Sequence, residues 1–156
     1  MSLSFIKVPE YDLNLSNNNV VKYRPFLIKE EKVLLMAAES RDEAEMNNAL
    51  INIVQSCTLS KIDVTKLPVY DFEYLWLNIR GKSVGEQIDL KLKCPDDEKQ
   101  TVDYSLKIED VKPDLNKKFE RKIEFEKDYG VIMKVPTIKH ISNKKTLLDL
   151  SYGLVR

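Results

Sequence analysis

Between Gln87 and Ile108 the chain alternates apolar and polar residues with a period of two, breaks once, and alternates again. Ile88, Leu90, Leu92 and Cys94 interleave with Gln87, Asp89, Lys91 and Lys93, and Val102, Tyr104, Leu106 and Ile108 interleave with Asp103, Ser105 and Lys107. Only a strand places every second side chain on one face. The break, Pro95-Asp96-Asp97-Glu98-Lys99, reads as a turn. The pattern predicts an antiparallel hairpin near 87–94 and 101–108, with one face buried and the other solvated.

Helical spacing is clearest just upstream. Phe72, Leu75, Trp76 and Ile79 recur at i, i+3, i+4 and i+7, the signature of a helix with one apolar face. Asp71 stands where an N-cap belongs, Arg80 suits the last turn, and Gly81 suits a stop. The stripe is expected to be core, with Trp76 largely buried. Ser40 and Glu43 fit a capping box. Met46, Leu50, Ile53 and Val54 then predict an amphipathic helix over 41–57. A loop through Asp63 and Pro68 connects the two.

Elsewhere the period is weaker. Residues 1–19, with Pro9 and Ser16-Asn17-Asn18-Asn19, read as an extended arm ending in a turn. Val20–Ile28 reads as a strand, and Pro25 puts it at an edge. Lys29-Glu30-Glu31-Lys32 is a charged break, placed at a hairpin tip. The apolar run Val33–Ala38 fits a helix or a buried strand by period alone and is read as a strand paired with the first. Lys112–Lys118 is a polar connection. Ile123 and Phe125 alternate with charge, and Val131–Val135 follows Gly130, which predicts a second hairpin.

The segment from Ser142 to Arg156 reads as a helical tail, with Leu147, Leu148, Leu150 and Leu154 as its apolar stripe. Such a stripe needs cover: it docks on its own sheet, meets another chain, or has lost a continuation. These four leucines are the candidate partner-binding residues.

The fold class expected is therefore α+β, a small single domain with β-hairpins, two central amphipathic helices and a C-terminal helical tail. Its organisation is an arm over 1–19, a globular part over 20–141, and a tail over 142–156, truncated or partner-binding. At 156 residues the length suits one domain.

Lys+Arg and Asp+Glu both number 25. A neutral chain has no field of one sign to hold a polyanion, so nucleic acid is not expected as a partner. Two cysteines, Cys57 and Cys94, are too few for a disulfide scaffold and are expected to be reduced thiols. No run of 18 apolar residues occurs, so no membrane span is expected. The start of the chain lacks the pattern of a signal peptide, and a cytoplasm is the expected compartment.

Catalytic motifs are lacking as well. The one histidine, His140, has no serine or cysteine nucleophile motif beside it and is expected on a loop or strand without a catalytic task. Gly81-Lys82-Ser83 looks like the end of a phosphate loop, but Trp76 stands where that loop needs glycine. Cys94 before a turn is where a zinc ribbon would put a ligand, yet Asp96, Asp97 and Glu98 follow instead of a second cysteine. No catalytic, cofactor-binding or metal-binding residue is expected, and no cofactor.

Two motifs in order carry a resemblance. Lys22-Tyr23-Arg24-Pro25-Phe26-Leu27-Ile28-Lys29-Glu30-Glu31-Lys32, followed by Leu34-Leu35-Met36-Ala37, is the first. Leu67-Pro68 with Asp71-Phe72-Glu73-Tyr74-Leu75, then Ile79-Arg80-Gly81-Lys82-Ser83-Val84-Gly85-Glu86, is the second. Together they resemble the T4-like bacteriophage baseplate hub assembly protein family, over roughly residues 5–110. Relatives carry extra cysteines after Cys94, resembling a zinc knuckle, and run on past the point where this chain stops. Here the cysteines are missing.

The resemblance implies a non-enzymatic component or chaperone-like assembly factor of the central hub of a contractile tail. It implies contacts with other hub proteins and the tape-measure protein, in the host cytoplasm during assembly or in the virion. A homo-oligomer is open as well. Two other readings stand beside it: a cell-wall-acting hub hydrolase, because acidic residues are plentiful enough to supply a carboxylate pair, and a small nucleic-acid-binding module.

Overall fold

The computed structural model describes residues 8–94, 96, 100–113, 122–126 and 129–142. It is α+β. Strands β1 (Tyr11–Asn14) and β2 (Val20–Tyr23) form an antiparallel hairpin in the register Tyr11↔Tyr23 to Asn14↔Val20. Helices α1 (Ile28–Ser40) and α2 (Glu43–Cys57) follow, then a 3-10 turn (Val64–Lys66) and helix α3 (Val69–Val84). Strands β3 (Gln87–Lys93) and β4 (Thr101–Lys107) pair antiparallel, as do β5 (Lys122–Glu126) and β6 (Tyr129–Ile132). A short helix α4 (Ile138–Ser142) is the last described element.

Period-two alternation in β1–β2 turns Leu13, Val21 and Tyr23 inward. They join Leu15 of the β1–β2 turn, Ile53, Val54 and Cys57 of α2, Val64 of the 3-10 turn, Leu67 just after it, Phe72, Leu75 and Ile79 of α3, and Ile138 of α4 in one core. Fully burying a Leu or Ile contributes about 1.5–3 kcal/mol, and Leu75, Ile79, Val54 and Val64 have no exposed surface at all.

Buried polar contacts fix how the elements meet. The Asp71 carboxylate, fully buried, accepts from Ser16 N at 3.0 Å and Ser16 Oγ at 2.6 Å, tying the β1–β2 turn to α3. Arg24 N donates to Cys57 O at 3.0 Å and Leu59 N to Lys22 O at 2.8 Å, which splices the end of β2 to the end of α2. On the far side Val69 N donates to Pro136 O at 3.1 Å and Ile138 N to Leu67 O at 3.3 Å, holding α4 against the start of α3.

Several expectations need correction. Lys29–Ala38 is neither a hairpin tip nor a strand; it lies within the continuous helix α1. Glu30, at the third helical position, turns back to accept from Leu27 N at 2.7 Å, so this acidic residue is a helix-start signal. The strand read over 20–28 ends at Tyr23 and pairs with Tyr11–Asn14.

Ser40 is not the cap of α2. Its hydroxyl donates to Ala37 O at 2.8 Å, and Asp42 caps instead, accepting from Ala44 N at 2.8 Å. Asp71 is not the cap of α3 either, because that helix begins at Val69 after Pro68, and proline suits a helix start. Gly81 does not end the helix. It lies inside, where a Cβ would meet Ile108 Cδ1 at 2.8 Å; the close approach is the reason for glycine. Gly85, at φ 153°, ends α3.

Trp76 is only half-buried, stacked on Phe26 at the rim of the core with ring centroids 6.1 Å apart. His140 lies on α4, with Nδ1 2.7 Å from Thr137 Oγ1 and 3.2 Å from Thr137 N. Finally, the expected antiparallel hairpin near 87–94 and 101–108 forms, but toward its tip the apolar face is not buried.

Candidate functional site

Cross-strand pairs in the β3–β4 ribbon are Ile88↔Leu106, Leu90↔Tyr104 and Leu92↔Val102. All six side chains share one face. At the base, Ile88 and Leu106 are half-buried, next to the point where Ile108 N donates to Glu86 O at 3.0 Å and Ile108 packs on Gly81. Toward the tip, cover is lost: Leu90 is 37% exposed, Tyr104 51%, Leu92 49% and Val102 61%. On the other face Lys91 opposes Asp103, and Asp89 opposes Ser105.

The β5–β6 ribbon also leaves apolar side chains open, though not on one face: Ile123 pairs with Val131, while Ile132 pairs with Lys122 on the opposite face. Ile123, Phe125, Tyr129 and Ile132 are all exposed. Each sheet among the described residues has two strands, so each ribbon also offers two unpaired edges. A two-stranded ribbon is marginal in water by itself, and its edges are templates for further strands. An apolar face beside open backbone edges is chemically suited to taking up protein from another chain.

The polar cluster of the molecule has a different character. Arg24 and Glu30 form a bidentate pair, Nη2 to Oε1 at 2.7 Å and Nη1 to Oε2 at 3.0 Å, with side chains only 15% and 10% exposed. Arg24 also donates to Pro25 O and Ser56 O. Its hydrogen bonds hold the Glu30 carboxyl below the usual range, and Glu30 in turn raises Arg24.

The buried Cys57 thiol lies 3.9 Å from Glu30 Oε2 and is pushed up from 9.0 to about 11, first by burial and then by that carboxylate. A thiol held protonated is a poor nucleophile. The cluster joins β2, α1 and α2; its geometry is that of a structural clasp.

The phosphate-loop lookalike is also spent on structure. Lys82 pairs with Glu86 and lies 5.1 Å above the Tyr11 ring, while Ser83 Oγ donates to Ile79 O at 2.6 Å and accepts from Phe26 N at 2.9 Å. Among the described residues, no three His, Cys, Asp or Glu side chains group as metal ligands. Cys94 sits just past β3 as a half-exposed free thiol. No helix among them is long and apolar enough to cross a membrane. The candidate partner-binding residues Leu147, Leu148, Leu150 and Leu154 lie outside the described residues.

The ribbon faces went unrecognised as a site because alternation marks which side chains share a face and not whether that face is covered. A signal was present: with residues 41–57 and the stripe after Asp71 already assigned to one core, few apolar residues remained to cover two further hairpins.

A closed core carrying open apolar ribbons defines an α+β protein whose surface is built for contact with other protein. The chain belongs to the T4 bacteriophage base plate protein family, which matches residues 8–155. It is thus a phage baseplate component, and other baseplate proteins are what its surface meets. No curated protein and no solved structure matches it.

Proposed function

We propose that this chain is a non-enzymatic component or assembly factor of the baseplate hub, acting through protein–protein contacts with other hub proteins and the tape-measure protein. Assembly takes place in the host cytoplasm and leads to the tail of the virion. The observation that carries the reading is the apolar face of the β3–β4 ribbon, which rises from half-buried at its base to open at its tip.

Half-covering four such side chains on assembly would contribute on the order of 1 kcal/mol each. Added backbone pairing at an open edge would set the register. The clasp around Arg24 supports the same reading, because its charges are consumed internally and it offers no group to a substrate.

The tail supplies a second contact surface in this proposal, through Leu147, Leu148, Leu150 and Leu154. Its mode is a helix laid in a partner's groove. Gly153 weakens such a helix by about 1 kcal/mol, which suits a segment that orders on docking.

The test is co-purification of the full chain with candidate hub and tape-measure proteins, with the mass of the complex measured. Replacing Leu147 and Leu150 by Ser is expected to weaken binding while leaving thermal stability unchanged. Loss of stability in the free chain would assign the tail to the core. A fall in the turbidity of a peptidoglycan suspension would show an enzyme and overturn the non-enzymatic reading.

A further inference from the structure

Helix α1 carries apolar side chains on both of its sides. Glu30 and Ala37 are buried, and Leu34 packs partly against the core. At 100° per residue, Ile28, Lys32, Leu35, Met36 and Glu39 lie on the opposite side. Ile28 is 85% exposed, Leu35 59% and Met36 60%. Lys32 and Glu39 are exposed too. A helix of one globular domain ordinarily turns a polar face to water, and among the described residues this stripe has no partner.

The order of its charges says what fits it. Lys32 and Glu39 are one heptad apart, and the Leu35–Met36 step lies midway between them. Lys29 and Glu31 flank the stripe, one on each side. Place a two-fold axis through the midpoint, perpendicular to the helix. Lys32 then faces Glu39 of a second copy, Glu39 faces Lys32 of that copy, and Leu35 and Met36 meet their counterparts in the centre.

Opposite charges equidistant from an apolar centre are self-complementary under two-fold symmetry, the symmetry of most homodimers. We infer that α1 is a self-association face, on which two copies of this chain pair antiparallel through Lys32, Leu35, Met36 and Glu39. The inference does not depend on which baseplate proteins the ribbons meet.

Magnitude sets the kind of dimer. A 13-residue helix is roughly 20 Å long, and a contact along it falls short of the roughly 1,200 Å² usual for stable specific interfaces. The association is therefore weak, in the micromolar to millimolar range. Copies already gathered in an assembly would use it.

The experiment is sedimentation equilibrium of the full chain across that concentration range, with Lys32→Glu, Glu39→Lys, and the two combined. The wild-type chain is expected to dimerise. Each single reversal turns two facing ion pairs into two repulsions and should weaken the dimer about tenfold. The double reversal should restore it, which no loss of folding or general change in charge would mimic. Melting of all three at low concentration should match wild type, since both side chains are exposed.

A wild-type chain that stays monomeric throughout overturns the proposal. So does a double variant that fails to recover, or a dimer that survives Leu35→Glu. Monomeric chain whose α1 binds a helix of another baseplate protein, with Leu35→Glu abolishing that binding, would assign the face to that partner and overturn the second copy as its occupant.

Discussion

In the β1–β2 hairpin, Leu13, Val21 and Tyr23 point into the core while Asp12, Asn14 and Lys22 point to solvent. In the β3–β4 ribbon, Leu90, Leu92, Val102 and Tyr104 share a face in the same way, and that face is open. The two hairpins have the same alternation and the same antiparallel pairing. What differs is the neighbour. α2 and α3 lie over the first hairpin, whereas among the described residues the second is held at its base, by Ile108 on Gly81 and by the Ile108–Glu86 hydrogen bond. The apolar pattern of the first is satisfied within the chain; that of the second is available to other chains. The comparison predicts that substitutions in one hairpin's surroundings act on folding and substitutions in the other act on assembly.

The largest expected effect is in the closed region. Leu75→Ala should destabilise the isolated chain by ~3–5 kcal/mol, because the side chain is wholly enclosed and leaves a cavity. Denaturant unfolding measures it. A cost below about 1 kcal/mol would mean the core is looser than described.

Next comes the clasp. Glu30→Ala strands the Arg24 guanidinium among Pro25 O, Ser56 O and Cys57 without its carboxylate, and about 3 kcal/mol should be lost. Unfolding midpoints of the Glu30→Ala and Arg24→Ala/Glu30→Ala chains sharpen this. The double variant should be less destabilised than the sum of the singles.

The clasp also sets the pH dependence. Glu30 is depressed when folded, so its contribution is present above its unfolded value of 4.5 and disappears as pH falls through the lower folded value. Cys57 is raised, so its contribution is complete below 9.0 and is lost as pH rises toward about 11. Tyr23, raised chiefly by burial, adds to the alkaline loss above 10.0. Stability should therefore fall by about 2 kcal/mol from Cys57 alone between pH 9 and 11. Cys57→Ala should flatten that part of the curve, as melting against pH would report.

These results depend on features that are unevenly legible in the sequence. The stripe Phe72–Leu75–Trp76–Ile79 and the alternation through 87–94 and 101–108 declare their elements because each has one apolar side. Helix α1 does not. Ala37 and Leu34 face the core while Ile28, Leu35 and Met36 face outward, so apolar residues occur all round and no period survives. Without a period, the apolar run Val33–Ala38 reads as a strand where the helix runs through, and the outer side of that helix is the proposed self-association face.

Other errors have the same root in distance. Ser16 and Asp71 are joined across the fold, and nothing local to Asp71 tells a buried carboxylate in a first turn from an N-cap. The partner for Gly81, Ile108, is likewise remote in the chain. The open state of the ribbons depends on what else packs, which no segment carries alone.

The smallest expected effect on stability is in the ribbon. Leu92→Ser with Val102→Ser should change the unfolding free energy of the isolated chain by no more than about 0.5 kcal/mol, since both side chains are already half in water. The same variant should bind other baseplate proteins more weakly. A large loss of stability would place the ribbon with the core and dissolve the contrast between the two hairpins.

Amide hydrogen exchange, followed in the free chain and in the chain assembled with other baseplate proteins, tests that contrast most directly. The account predicts new protection at Gln87–Lys93 and Thr101–Lys107 on assembly, while α2 and α3, already protected in the free chain, change little. Unaltered exchange across the ribbon in the assembled state would contradict it.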